Sequence, residues 1–354
     1  MSKARELAQK PNQPTGRKNL IINGAMNVAQ RGTQTGHASG YTLDRWNVYT
    51  SSAARFTVSQ DSHVPSGQGF ANSIKLDVTT ADTSLDAADF GVFRTLFEGQ
   101  DLQHICKGTS NAKKLTLQFW IKSTVTGTYA LELYDSDNVR QVTKNYTVNS
   151  ADTWEKKIIT FPADTTGIFS NDNAVSLYVQ FGIIAGSNFT SGVASGSWAS
   201  RTEANRYVGQ VNAANSTSNN IYFTGVQLEV GSVATEFEHR SFGEELALCQ
   251  RYYHQQERTA NPIKGVYIGI GQVGQTTQAL AIYTLPVSMR TTPTLAHGTV
   301  GAGATSNYTG TLSAFYADNL HFSFYFVSSG MVVGDVIRIY NSGPGEKVTF
   351  DAEL

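Results

Sequence analysis

The chain has 354 residues, 40% of them hydrophobic and only 16% charged, with a formal net charge of −1. A balance so near neutrality offers no basic footprint for nucleic acid, and no apolar run of about 18 residues is present to insert into a membrane. Two cysteines, Cys106 and Cys249, are too few for a disulfide framework or a cysteine-based zinc site.

In chain order, residues 1–18 stand apart by composition. A helical turn over Ser2–Gln9 would run into Pro11, Asn12, Pro14 and Gly16, which prevent its continuation. The segment reads either as a disordered terminus or as an arm that orders against a partner. It has no apolar stretch of the kind that marks a secretory signal.

From Asn19 onward the pattern is of strands and turns. Leu115, Leu117, Phe119 and Ile121 alternate with Thr116, Gln118 and Trp120, and Leu177, Val179, Phe181 and Ile183 alternate with Tyr178 and Gln180. Period-two alternation marks strands with one face on a core. Residues 129–135 and 154–161 read the same way. Many strands without a β/α rhythm predict an all-β fold, a two-sheet jelly-roll sandwich over 19–240. One short helix follows over 241–256: Ser241 and Glu244 fit a capping box, and Leu246, Cys249 and Tyr253 share a face. A smaller β domain is expected over 257–354, with strands near 278–285, 321–328, 331–340 and 347–354. The Gly269, Gly271 and Gly274 spacing imitates a dinucleotide fingerprint, but an alternating strand follows where a helix is required, so a glycine-rich hairpin is predicted.

The candidate binding residues lie on polar strand faces. Trp120, Tyr134 and Tyr178 point away from the apolar stripes, among Gln118, Glu132 and Gln180. Sugars present apolar C–H faces ringed by hydroxyls, which aromatic rings flanked by amides and acids can match. The same rings could instead lie under a neighbouring subunit or a long loop. Trp198, in a Gly/Ser-rich stretch, is an alternative platform. Asp135 and Asp137 offer hard oxygen ligands for a structural calcium, or are simply solvated; no other cofactor is expected. Asp101, Glu132, Asp135, Asp137 and Glu229 show no pairing of the glycosidase kind, and the seven histidines have no metal-site or triad spacing. No enzymatic activity is predicted.

Three segments resemble a known family. NLIINGAMNVAQRG (Asn19–Gly32) with YTLDRW (Tyr41–Trp46) resembles the opening of bacteriophage tail fibre modules; SKAREL near the start resembles their leading arm. VQLEVGSVATEFEHRSFGEELALCQRYY (Val226–Tyr253) resembles their closing strand and helix, and LPVSMRTTPTL with FDAEL resembles the small domain that follows. The resemblance implies a phage tail fibre or receptor-binding protein carrying a jelly roll similar to carbohydrate-binding modules. It implies a virion location, seating on other virion proteins through the 1–18 arm, a homotrimer, and adhesion to host surface polysaccharide or lipopolysaccharide. A purely structural decoration or adaptor, and a polysaccharide-degrading tailspike, are the alternatives. The motif residues Asp44, Arg45, Trp46, Glu229 and Arg240 are expected to be structural, with recognition left to the unmatched middle of the chain or to the C-terminal domain.

Overall fold

A computed structural model describes residues 17–257, 267–303, 307–341 and 345–354. The predicted arm and its helical turn fall almost entirely outside the described residues.

The first strands are β1 (Gln34–His37), β2 (Ser39–Tyr41), β3 (Asn47–Thr50), β4 (Arg55–Asp61), β5 (Ser73–Thr80) and β6 (Phe90–Glu98). Then come β7 (Leu115–Ser123), β8 (Gly127–Asp135), β9 (Arg140–Val148), β10 (Glu155–Phe161) and β11 (Val175–Ala185). A single helical turn, α1 (Ser187–Thr190), is followed by β12 (Ala199–Ser200), β13 (Asn220–Val230) and helix α2 (Phe242–Gln250). The C-terminal part contributes β14 (Tyr253–Glu257), β15 (Tyr267–Gln275), β16 (Gln278–Thr284) and β17 (Thr294–His297). It ends with β18 (Val300–Gly303), β19 (Asn307–Ala317), β20 (His321–Val327), β21 (Val336–Asn341) and β22 (Lys347–Asp351).

The larger unit is a jelly-roll sandwich. One sheet has six strands in the order β1-β4-β5-β13-β7-β10, the other seven in the order β12-β9-β8-β11-β6-β3-β2. The alternation read from sequence fixes which side chains fill the space between them. Leu117, Phe119 and Ile121 of β7 and Leu177, Val179 and Phe181 of β11 are all buried in one core. Aromatic rings bridge the layers: Trp46 stacks on Phe93 at 4.5 Å, Phe93 on Phe223 at 4.9 Å, and Phe181 meets Phe119 edge-on at 5.0 Å. Such pairs add directional attraction to the burial of large apolar surfaces.

The two family-like motifs tie the sandwich shut. The Asn23 side chain donates to the Val28 and Asp44 carbonyls, and the Asn23 backbone carbonyl accepts from the Trp46 indole at 3.0 Å. Its backbone N–H donates to Glu245 of α2 at 2.6 Å, while Asp44 accepts from both the backbone and the side chain of Gln30. Burial pushes the Asp44 carboxyl upward, against the pull of Arg31 and the Gln30 bonds. Arg240 donates to the Ile21 carbonyl and pairs with Glu245 at 3.2 Å. Glu229 accepts from the Thr235 N–H and hydroxyl, both at 2.8 Å. Opening and closing segments are therefore knotted through buried polar groups, which must be partnered to be tolerated there.

Helix α2 differs from its prediction in length. The Ser241 hydroxyl caps the Glu244 N–H at 3.3 Å, but the Glu244 carboxylate lies toward Arg17 instead of closing the capping box. The helix stops at Gln250, short of 256, because the chain that follows has other partners. Tyr252 turns inward to Glu98 and beneath the Arg45 guanidinium, and β14 pairs with β22 from Tyr253↔Asp351 to Glu257↔Lys347. Tyr253 consequently sits in a strand and not on the helix face.

β14, β22 and β17 form a small sheet beside a closed barrel of β15-β16-β20-β19-β18-β21. A second core, with Phe322, Phe324, Phe326, Ile337, Ile339 and Phe350, fills this part. The glycine-spaced segment is the β15–β16 hairpin, as predicted; a side chain at Gly271 would meet the Leu280 carbonyl at 2.5 Å.

Candidate functional site

The outer face of the seven-stranded sheet carries an open groove of about 1070 Å³. Its floor follows from strand register. Tyr178 of β11 lies opposite Tyr134 of β8, and Gln180 lies opposite both Glu132 of β8 and Arg94 of β6. Arg94 in turn faces Asn47 of β3. Because Leu177, Val179 and Phe181 take the core side, Tyr178 and Gln180 must point outward.

Arg94 links the aromatic residues of this floor. Its guanidinium lies 5.4 Å from the Tyr49 ring centre and 5.5 Å from that of Tyr178, and its Nε donates to Asn47 Oδ1 at 3.0 Å. Tyr178 and Tyr134 are 5.6 Å apart with their planes tilted by 42°. Arg201 lies 4.9 Å above the Tyr134 ring. Tyr49, Arg94, Tyr178, Tyr134 and Arg201 thus form one continuous row, a guanidinium between Tyr49 and Tyr178, two adjoining rings, and a second guanidinium on Tyr134. Burial pushes the Tyr178 phenol upward, outweighing the nearby Arg94 charge, so it stays a neutral hydrogen-bonding group at neutral pH.

One wall is built by the loop that carries α1 and continues to Tyr207. Arg206 holds it down on Glu132, with Nε at 3.0 Å and a terminal nitrogen at 2.9 Å; Tyr207 and Gln180 donate to the same carboxylate. Glu132 is completely buried, so this saturation of its oxygens is what permits its charge. Gly182 lets the loop come close: a side chain there would strike the Gln210 amide oxygen at 2.3 Å. Glu203, on the rim, pairs with Arg201 at 2.6 Å and Arg206 at 3.1 Å.

The sequence-derived candidates do not share a face. Tyr134, Tyr178 and Gln180 meet in the groove, whereas Trp120 and Gln118 lie on the outer side of the six-stranded sheet, across the sandwich. Gln118 is buried there, its amide donating to the Thr235 carbonyl at 2.6 Å beneath the closing segment. Trp120 is half-buried beside Thr224 and Lys156 in register. Alternation shows inside from outside but not which of two sheets a strand joins, which is why one platform was expected. Trp198 is half-buried against the main core, its indole donating to the Pro162 carbonyl at 2.9 Å and its ring facing Lys107.

The calcium reading of Asp135 and Asp137 fails on charge. The Lys107 ammonium occupies the Asp135 side at 2.5 Å and reaches Asp164 at 3.1 Å, while Asp137 accepts from the Ser170 N–H. Among the described residues no group of acids, histidines or cysteines gathers to hold a metal.

Tyr49, Arg94, Arg201, Glu203 and Arg206 were not singled out from sequence. The signal for Arg94 was present: it is the one charge in the run FGVFRTLF, before the strand closes on Glu98. Its neighbours on that face, Phe90 and Val92, are buried under the covering loop beside Tyr207, which removes the alternation that would have marked an outward row.

No family model matches the sequence, and no curated protein matches it. Solved structures do. The enzymatically active domain of bacteriophage CBA120 tailspike protein 4 is 15% identical with a TM-score of 0.34, over 60% of this chain and 21% of that one. A CBM4 structure is 14% identical with a TM-score of 0.31, over 59% of this chain and 99% of the other. A family 11 carbohydrate-binding module from Clostridium thermocellum is 13% identical with a TM-score of 0.28, over 59% and 98%. The chain spans about a fifth of the tailspike chain's length.

Proposed function

We propose that this protein is a glycan-binding adhesion module that takes its saccharide in the groove of the seven-stranded sheet. The observation that carries the reading is the half-buried row from Tyr49 to Arg201 along the groove floor. Two adjoining tyrosine rings offer apolar faces to pyranose C–H surfaces, while Arg94 and Ser136 offer hydrogen bonds to hydroxyls. Binding without cleavage fits the lining: among the described residues Glu203 is its only acid and is held by two arginines, whereas glycoside hydrolysis needs two working carboxylates. The opening and closing motifs support placement of the module on a phage tail fibre or similar appendage. On this reading the protein is a virion component that contacts host surface polysaccharide or lipopolysaccharide. Homotrimeric assembly and contact with other virion proteins complete the proposal. The barrel's exposed apolar residues support it, with Ile270 at 66%, Ile282 at 62% and Val336 at 60% exposure.

A glycan array tests the groove directly. Tyr178→Ala and Tyr134→Ala should each weaken binding at least about tenfold, a loss of the size that deleting one stacked ring produces. Trp120→Ala should leave it unchanged, with the melting temperature preserved in all three. Loss of binding in Trp120→Ala alone would transfer the function to the opposite face and end this proposal.

A further inference from the structure

The groove has a charge asymmetry that a neutral sugar does not require. Three arginines line it, Arg94, Arg201 and Arg206, against the single acid Glu203, with Glu132 beneath the floor. Arg206 is neutralised by Glu132 and Glu203, and Arg201 by Glu203. Arg94 alone has no carboxylate partner among the described residues. Its one hydrogen bond, from Nε to Asn47, fixes the plane of the guanidinium. The two terminal nitrogens make no hydrogen bond within the described residues, and they lie between Tyr49 and Tyr178 in the middle of the row.

A guanidinium in this state is prepared for a particular kind of ligand. Its fork of donors matches the two oxygens of a carboxylate. Being held by Asn47 and flanked by two rings, it gives up little side-chain freedom on binding. Glu132 and Glu203 cannot supply the missing charge, since each of their oxygens is already committed to Arg206 or Arg201.

We infer that the groove selects an acidic saccharide, with the carboxylate of a uronic acid or similar sugar received by Arg94 while adjoining rings rest on Tyr178 and Tyr134. This rests on the glycan-binding reading above and adds the class of sugar. Arg94 is the specificity-determining residue, and the tyrosines supply contact that is blind to charge.

The test compares uronic-acid polymers (polygalacturonate, alginate and hyaluronate) with the same polymers after reduction of their carboxyl groups to alcohols, by calorimetry or affinity electrophoresis. The intact protein should bind at least one acidic polymer about tenfold or more tightly than its reduced form. In Arg94→Gln, which retains a hydrogen bond to Asn47, that ratio should fall to about one; in Arg94→Lys it should be intermediate, because the charge remains and the fork is lost. High salt should narrow the ratio in the unmodified protein. Equal binding of acidic and reduced polymers, or an undiminished ratio in Arg94→Gln, overturns the acid preference and leaves groove binding standing provided Tyr178→Ala still loses it. Absence of binding to both forms, with Tyr178→Ala indistinguishable from the unmodified protein, overturns the acid preference and the groove together.

Discussion

Lys107 shows what a single residue does in the sandwich. Its ammonium is almost dry, lies between Asp135 and Asp164, and donates to the Thr166 and Gly167 carbonyls. Burial pushes the Asp164 carboxyl up, but bonds from Arg140, the Thr166 N–H and Lys107 outweigh it and hold it below the ordinary range. One cation therefore fastens the 135–140 turn to the 164–168 loop, and Trp198 packs over it. Lys107→Met should remove about 3–5 kcal/mol of stability, since it strands buried carboxylates; urea unfolding will show it, and a loss below about 1 kcal/mol would contradict the account. None of this was legible in the sequence, where Asp135 and Asp137 look like a cation site and Trp198 like a loop platform. The partner that decides the chemistry, Lys107, is distant in the chain. Arg94 was more accessible to reading, being a charge set within the apolar run of β6, yet its meaning depended on knowing that Glu132 was already paired with Arg206.

At the scale of elements, what was legible followed from period two. β7, β11, β20 and β22 lie where alternation put them, because a strand with one face on a core must alternate. The sorting of strands between sheets was not legible: Trp120 and Tyr178 have the same sequence pattern and opposite locations. The sequence lets the helix run on through most of β14 because His254, Gln255, Gln256 and Glu257 are polar and carry no strand signature; only pairing with β22 makes this segment a strand. That strand has a pH signature. His254 is stacked near-parallel with Tyr283 and Phe350, and its Nε2 lies 2.8 Å from the Tyr283 hydroxyl. Burial pulls its pKa from 6.5 down to about 4. The unfolded chain therefore binds a proton that the folded one refuses between those values. His254 leaves stability intact above about pH 6.5, and the loss grows as pH falls toward 4, reaching about 3 kcal/mol at most. Melting curves across this window should show the decline, and His254→Gln should flatten it; an equal decline in the variant would place the effect elsewhere.

For the whole molecule, the sequence read alone gave the class and the order of parts: an all-β sandwich, one helix, a smaller β unit. The bracket motifs were legible because they are structural. Asn19, Asn23, Asp44, Trp46 and Glu245 form one buried network spanning more than two hundred residues, and such a network tolerates few substitutions. The groove was not legible, because a loop walls a floor drawn from β3, β6, β8 and β11, and each strand contributes one or two side chains. A further tie joins the parts: Arg31 and Arg45 both pair with Glu353, and the Tyr41 hydroxyl donates to the Leu354 carbonyl. The sandwich and the C-terminal sheet are thereby fastened at the end of the seven-stranded sheet next to β2 and β3, close to the strands that supply Asn47 and Tyr49.

The central claim is that a saccharide occupies the face between Tyr49 and Arg201. A crystal structure with an oligosaccharide cut from the bound polymer tests it most directly. The account expects sugar rings against Tyr178 and Tyr134, with an acid group on the Arg94 guanidinium. Sugar bound instead beside Trp120 on the six-stranded sheet, or on the barrel, with the groove empty, would contradict it.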